Sequence, residues 1–352
     1  MVKVRWREQM LRLSATLLGV TMLACLVFRT GVHTVVQQAE AVGWGMALII
    51  ALGGISNLIK TWSWRLTFLC DLRHLSFGRT FALRLISEGM GKVGIAGQVA
   101  GETTRVFLLG PSVPVANSVS SVTLDRGLYA LTSAMVSVAG IVSALLLISL
   151  SKSWRLYLVL LAFALLLLLV ANTVAVQRRW PVMSRCAAMI GYLPGCRAWV
   201  TAKHSVIRSA ENNLYQFCHE APKAFWGSLG LNLACHCLAI LEVYLLLHFM
   251  RVPVSSVQAL IFEGLTKLVN VVGIFNPGNA GTYEGGNMIL AGLIGATSAT
   301  GLTLSLCRRA RSLFWSTIAG LCLITISISN KSPKLYALAN GVAGAGAACH
   351  TP

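Results

Sequence analysis

Two short stretches from opposite halves of the chain share one plan: a glycine-rich break, a single glutamate, and an arginine-bearing segment downstream. The first is Gly97-Gln-Val-Ala-Gly-Glu102-Thr-Thr-Arg105, followed by Asp125-Arg126; the second is Pro277-Gly-Asn-Ala-Gly281-Thr-Tyr-Glu284, followed by Arg308-Arg309. Glu102 precedes Arg126 by the same 24 residues that separate Glu284 from Arg308. The chemistry open to such a set is anion handling. A guanidinium offers a planar fork of donors to phosphate and stays charged when partly dehydrated, and a nearby carboxylate can hold it between visits. Glu102 and Arg105 lie three apart, so on a helix they share a face and can pair. A salt bridge that only fixes two helices is the plainer reading of the same residues.

Other polar text supports the same division. Glu263 and Lys267 are four apart in the favourable order for a helical pair, which reads first as structural. The run from Asn276 to Glu284 favours an unwound backbone, because Pro277, Gly278 and Gly281 interrupt a helix and expose amides and carbonyls to a polar headgroup. Arg308, Arg309 and Arg311 read either as snorkelling side chains or as a second phosphate station. Catalytic signatures are missing: there is no Gly-x-Ser-x-Gly elbow, His-Glu-x-x-His, Walker loop or dinucleotide fingerprint. Cys235-His236-Cys237 reads as core packing, since adjacent helical residues point in different directions and a second ligand pair is absent. No cofactor or metal is expected, and no enzymatic activity.

The elements that position these residues must cross a membrane. The chain has 352 residues, of which 11% are charged and 56% hydrophobic, with a mean hydropathy of +0.72, against about 25% charged residues in ordinary globular domains. At roughly 20 residues per crossing there is room for about six to eight spans and no sizeable soluble domain. The net charge of +18 fits loops against anionic headgroups rather than nucleic acid, because no nucleic-acid reading module accompanies it. Apolar runs place spanning helices at about 13–29, 43–64, 122–150, 155–176, 224–249 and 301–329. The first is read as a retained helix and not a signal peptide. Two further regions, 80–101 and 255–296, are apolar but broken by glycine, proline and charge, which predicts broken or re-entrant helices.

The fold class expected is therefore all-α: a polytopic membrane helix bundle with two re-entrant or broken helix segments. Counting crossings from a basic, cytoplasmic N-terminus puts the basic loop 177–223 and the C-terminus inside. The two broken segments then enter from opposite sides, which is an inverted repeat. The transmembrane domain covers 1–335, with halves of about 40–176 and 224–330 and a short tail at 336–352. Within the central loop, the helix-prone text from Ala198 to Phe217 reads as either a solvated connector or an interfacial amphipathic helix.

On these motifs the chain resembles the flippase-like domain family, the lysylphosphatidylglycerol synthase transmembrane region. The match lies in Gly101-Glu102-x-x-Arg105 with Asp125-Arg126, then Pro277-Gly278-x-x-Gly281-x-x-Glu284 with Arg308, and covers about residues 40–330. Gln98-Val99-Ala100 stands where the family often places a proline. The resemblance implies a domain that moves polar lipids between leaflets of the bacterial inner membrane. Only a short small-residue stretch follows Asn330, so the expectation is a stand-alone member without the synthase domain, of a size that fits the hopanoid-associated group. Glu102, Arg105, Arg126, Pro277, Gly281, Glu284 and Arg308 are the substrate-binding candidates. The partners expected are membrane lipids with anionic or phosphate-bearing headgroups, and a homo-oligomer or lipid-synthesis enzymes. A lipid-phosphate transferase and a non-transporting scaffold are the competing readings.

Overall fold

A computed structural model describes residues 32–70, 72, 75–91, 97–110, 113–192, 197–273 and 279–329; the apolar run at 13–29, Pro277 and the C-terminal tail lie outside them. The described residues form twelve α-helices and no strand. They are α1 (Val32–Val42), α2 (Gly45–Leu66), α3 (Phe77–Met90), α4 (Gly97–Leu109), α5 (Val115–Leu147), α6 (Lys152–Gln177), α7 (Val182–Gly191), α8 (Arg197–Glu220), α9 (Pro222–Phe249), α10 (Ser256–Val272), α11 (Thr282–Leu293) and α12 (Ser298–Ser329).

Length and apolarity decide which of these cross the bilayer. α2, α5, α6 and α9 are long and apolar enough to do so, and α12, with 32 residues, is about 48 Å long at 1.5 Å per residue. The apolar face of α6, including Leu156, Leu160, Phe163 and Leu167, is exposed. Such a surface belongs against lipid tails, not water. The chain is a multi-pass membrane protein. Its helix starts carry local signals: Ser76, Ser151 and Ser255 accept from the backbone N–H groups of Arg79, Trp154 and Gln258, and Gln258 returns a bond to the Ser255 N–H.

Both broken regions are helical hairpins. α3, α4 and α11 have 14, 13 and 12 residues, roughly 18–21 Å, too short for a hydrocarbon core of about 30 Å. The α3–α4 base packs Leu75, Leu109 and Val113 against Trp64 at the end of α2, Val122 at the start of α5 and Ile326 at the end of α12. The α10–α11 base packs Ala259 and Ile294 among Ile49, Ala144, Leu247 and Leu304, which are at the opposite ends of the long helices. The hairpins therefore enter from opposite faces. In the structure α5 begins at Val115, earlier than the apolar run predicts, because polar Ser118, Ser120 and Ser121 are buried against protein.

The halves pair reciprocally. α2 packs on α9; α3 of the first hairpin packs on α12, and α10 of the second packs on α5; α2 touches α12 as α9 touches α5. This is a pseudo-two-fold arrangement of two opposed units, α2–α5 and α9–α12. Numbering supports the correspondence: Cys235 Sγ lies 3.7 Å from the Ser56 carbonyl, and these two residues are 179 apart, as are Lys60 and Ala239, Arg84 and Glu263, and Glu88 and Lys267. A residue that touches its own counterpart marks the axis.

Close backbone approaches hold the hairpins. A Cβ on Gly101 would stand 2.3 Å from the Ser87 carbonyl oxygen, and Ser87 Oγ donates to the Gly101 carbonyl at 2.8 Å. A Cβ on Gly264 would stand 2.9 Å from the Val136 carbonyl oxygen and 3.1 Å from Gly140 Cα. Gly101→Ala should lower stability by about 1–3 kcal/mol, the usual cost of overpacking against backbone; thermal unfolding in detergent checks it, and an unchanged midpoint would show that α3 and α4 can part.

The central loop is structured. α8 lays Phe217 and Leu214 on Leu124 and Leu128 of α5 and on Leu229 of α9, so it is a docked helix and not a solvated connector. Glu211 of α8 accepts from the Met183 and Ser184 N–H groups, capping α7. Burial pushes the Cys218 thiol up to about 11, which suits an inert packing group.

Candidate functional site

Two ion-pair clusters sit at equivalent places in the two halves, with their charges reversed. In the first, Asp125 of α5 accepts from Arg84 of α3 at 3.1 Å and from Arg105 of α4 at 2.7 Å, and Arg84 also meets Glu88 at 3.3 Å. In the second, Arg308 of α12 donates to Glu263 of α10 at 2.7 Å, and Glu263 accepts from Lys267 at 2.7 Å. Arg84 and Glu263 are each the eighth residue of their helices, and Asp125 and Arg308 each the eleventh. Arg84 donates to the Lys60 carbonyl and Arg308 to the Ala239 carbonyl. Lys60 and Ala239 are 179 apart, as are Arg84 and Glu263, and Glu88 and Lys267. Acid and base have exchanged places across the pseudo-axis.

A second tier follows the same rule without reversal. Glu102 meets Arg126 at 2.8 Å, and Glu284 meets Arg309. Three residues after each glutamate comes the group that ties the hairpin legs together: Arg105 donates to Ser87 Oγ, and Thr266 Oγ1 donates to Asn287 Oδ1 at 2.8 Å. Glu284 also accepts from the Gly281 N–H at 2.7 Å, which fixes the hairpin tip where Gly281 turns with φ +80. Only glycine adopts that backbone without strain.

The two clusters differ in access. Asp125, Arg84 and Arg105 are enclosed, with Arg105 stacked 4.6 Å from the Trp64 ring. The second cluster lines a cavity of about 490 Å³. Ser56 and Cys235 lie on its wall, so it sits on the pseudo-axis, and Lys60, Tyr129, His236, Glu242, Tyr283, Arg309 and Arg311 complete its polar face. Arg311 donates to Glu242 at 2.7 Å, and Glu242 lies 3.5 Å from Arg308. Lys60 and Lys267 stand 5.8 and 5.9 Å from the centre of the Tyr129 ring. Counting Glu284 behind Arg309, five basic groups face three acidic ones. The cavity is therefore cationic by two charges in a region where uncompensated charge is costly.

A larger hollow of about 590 Å³ lies between α7 and α8, bordered by Arg179, Arg208, Glu211 and Glu220. Its formal charges cancel, and it lies outside the repeated units. The axial cavity is the better candidate.

Of the residues read from sequence, Arg308 lines the cavity, and Glu284 is fully buried behind it. Gly281 shapes the hairpin tip, and Pro277 lies outside the described residues. The expected Glu102–Arg105 pair does not form. Arg105 turns inward to Asp125, while Glu102 reaches Arg126, and these last two side chains are about one-third exposed. The partner of Glu284 is Arg309, with Arg308 turned to Glu263: adjacent residues on a helix point about 100° apart, which an interval in sequence does not distinguish. Lys60, Tyr129 and Glu242 escaped the motif reading. For Lys60 and Glu242 the available signal is a lone charge inside an otherwise apolar span.

Comparison with protein families matches residues 13–320 to the lysylphosphatidylglycerol synthase TM region. The chain belongs to that family. Comparison with curated proteins and with solved structures gives no match.

Proposed function

We propose that this member of the lysylphosphatidylglycerol synthase TM region family translocates polar lipids across the bacterial inner membrane, passing the headgroup through the axial cavity while the acyl tails stay in the bilayer. The observation that carries the reading is a cationic, polar cavity on the pseudo-axis between two hairpins inserted from opposite faces. A phosphate entering hydrocarbon alone loses its hydration at a cost of many kcal/mol. Guanidinium and ammonium groups already held at membrane depth replace that hydration, and the carboxylates that pair with them between visits keep them from being stranded. Arg309 with Glu284 on one side of the axis, and Arg126 with Glu102 at the equivalent place on the other, form two stations for the same anion. In this reading the basic loop between α6 and α9 and both termini are cytoplasmic, as the positive-inside rule favours.

Glu102→Gln and Glu284→Gln test the stations. Each keeps the side chain's shape and removes the charge that returns the arginine to rest. Leaflet exchange of an acyl-labelled anionic lipid in proteoliposomes should slow by about tenfold, the scale of one charge-assisted hydrogen bond made neutral. Unchanged exchange in both variants removes these residues from the path and favours a scaffold role.

A further inference from the structure

The axial cavity asks for more than an anion. Three buried polar atoms on its lining have no hydrogen-bond partner among the described residues: Oδ1 of the half-buried Asn279, an acceptor, and the pair Arg308 Nε, a donor, and Glu242 Oε1, an acceptor. Both side chains of that pair are more than nine-tenths buried, and both residues line the cavity. Buried polar atoms in native structures are normally satisfied, so a specific pair of orphans on one cavity wall marks where something else bonds. Arg308 Nε needs an acceptor. Glu242 Oε1 needs a hydrogen-bond donor, which a phosphate diester lacks.

Charge and space narrow the donor. Glu242 is bracketed by Arg311 at 2.7 Å and Arg308 at 3.5 Å, and the cavity as a whole carries two surplus positive charges, so a second ammonium brought in by a ligand meets net repulsion. A neutral hydroxyl does not. The cavity of about 490 Å³ has room for roughly sixteen water-sized groups at about 30 Å³ each, several times what one phosphate fills. Lys60, which makes no ion pair among the described residues and stands over the Tyr129 ring, is the cation free to meet the phosphate. Tyr283 adds a hydroxyl that already accepts from Arg308 Nη1 at 3.3 Å.

We infer that the cavity selects a headgroup combining one phosphate with neutral hydroxyls, a polyol or sugar phosphate, over a bare phosphate and over a headgroup bearing an amine. Lys60 and Arg308 take the phosphate, and Glu242 takes a hydroxyl. This rests on the reading of the cavity as a lipid headgroup site and names its ligand class.

Native mass spectrometry of the full chain offered equal amounts of phosphatidylglycerol, phosphatidic acid, phosphatidylethanolamine and lysylphosphatidylglycerol tests it. Phosphatidylglycerol should be retained about tenfold or more over each of the others, the scale of one hydrogen bond to a charged group. Glu242→Gln should reduce its preference over phosphatidic acid while phosphatidic acid binding holds or rises, a pattern that misfolding does not produce. Lys60→Met, at a half-buried position with no carboxylate partner among the described residues, should weaken both anionic lipids together. Equal retention of phosphatidic acid and phosphatidylglycerol, or preference for either amine-bearing lipid, overturns the assignment. Selective retention without leaflet exchange would refute translocation and leave the ligand class standing; exchange of all four lipids at one rate would do the reverse.

Discussion

Asp125→Asn should destabilise the protein by about 3–5 kcal/mol, the usual cost of removing one partner from a buried ion pair. The Asp125 carboxylate is the shared acceptor for two guanidinium groups, at 3.1 Å from Arg84 and 2.7 Å from Arg105, and all three residues are buried. An amide keeps the shape and withdraws the charge. Two arginines then face each other in a region of low dielectric, with Glu88 the remaining carboxylate near Arg84. Thermal unfolding in detergent should show the loss directly. A midpoint within a degree or two of wild type would mean that water or lipid phosphate already screens the cluster.

The charge reversal between halves makes this prediction sharper. If the first cluster is the second with acid and base exchanged, then Arg84→Glu, Glu88→Lys, Arg105→Asn and Asp125→Arg together rewrite it as Glu263, Lys267, Asn287 and Arg308. The quadruple variant should recover most of the stability that Asp125→Arg alone removes, since each new charge meets the partner its counterpart has. Four changes no better than one would break the residue correspondence.

Lys60→Glu should lower exchange of an anionic lipid by about a hundredfold or more while leaving the fold intact. Lys60 is half-buried on the cavity wall, and its ammonium stands over an aromatic face and not on a carboxylate. Reversing its charge takes the cavity from a surplus of two positive charges to none. At about 4 Å and an effective dielectric constant near 20, one unit charge contributes roughly 4 kcal/mol, so even a fraction of that sum, turned from attraction to repulsion, exceeds two decades in rate. Lys60→Met should fall between the two. Unaltered exchange in the glutamate variant would place the headgroup path elsewhere.

Much of the bundle is legible in the sequence because lipid allows few solutions. Apolar runs give α2, α6, α9 and α12 nearly to their ends, and the glycines of the two broken segments give the hairpins. What α8 does is less legible: its pattern marks an amphipathic helix, but Phe217 and Leu214 face α5 and not lipid, and only the tertiary packing decides between those surfaces. The site follows the same division. Repeated glycine–glutamate text finds the hairpin tips and the long-helix arginines. It misses Lys60 and Glu242, which lie on the first helix of each half with no motif around them; it pairs Glu102 with Arg105 where the structure pairs it with Arg126, and it names no partner for Glu284, which meets Arg309. Those partnerships depend on helix rotation within each half, and the correspondence between the halves runs at roughly 180 residues, the interval seen between Arg84 and Glu263. That interval is itself in the sequence, but reversed charge hides it from any comparison of like with like.

The central claim is that a lipid headgroup crosses through the axial cavity. The most direct measurement is dithionite quenching of acyl-labelled phosphatidylglycerol in liposomes reconstituted with wild-type protein, with the Lys60→Glu variant, or with none. Wild-type vesicles should lose nearly all their fluorescence, as label from the inner leaflet reaches the quencher, while the variant and the empty vesicles should stop near one half. Wild-type vesicles that also stop near one half, or variant vesicles that quench as fully as wild type, would contradict the account.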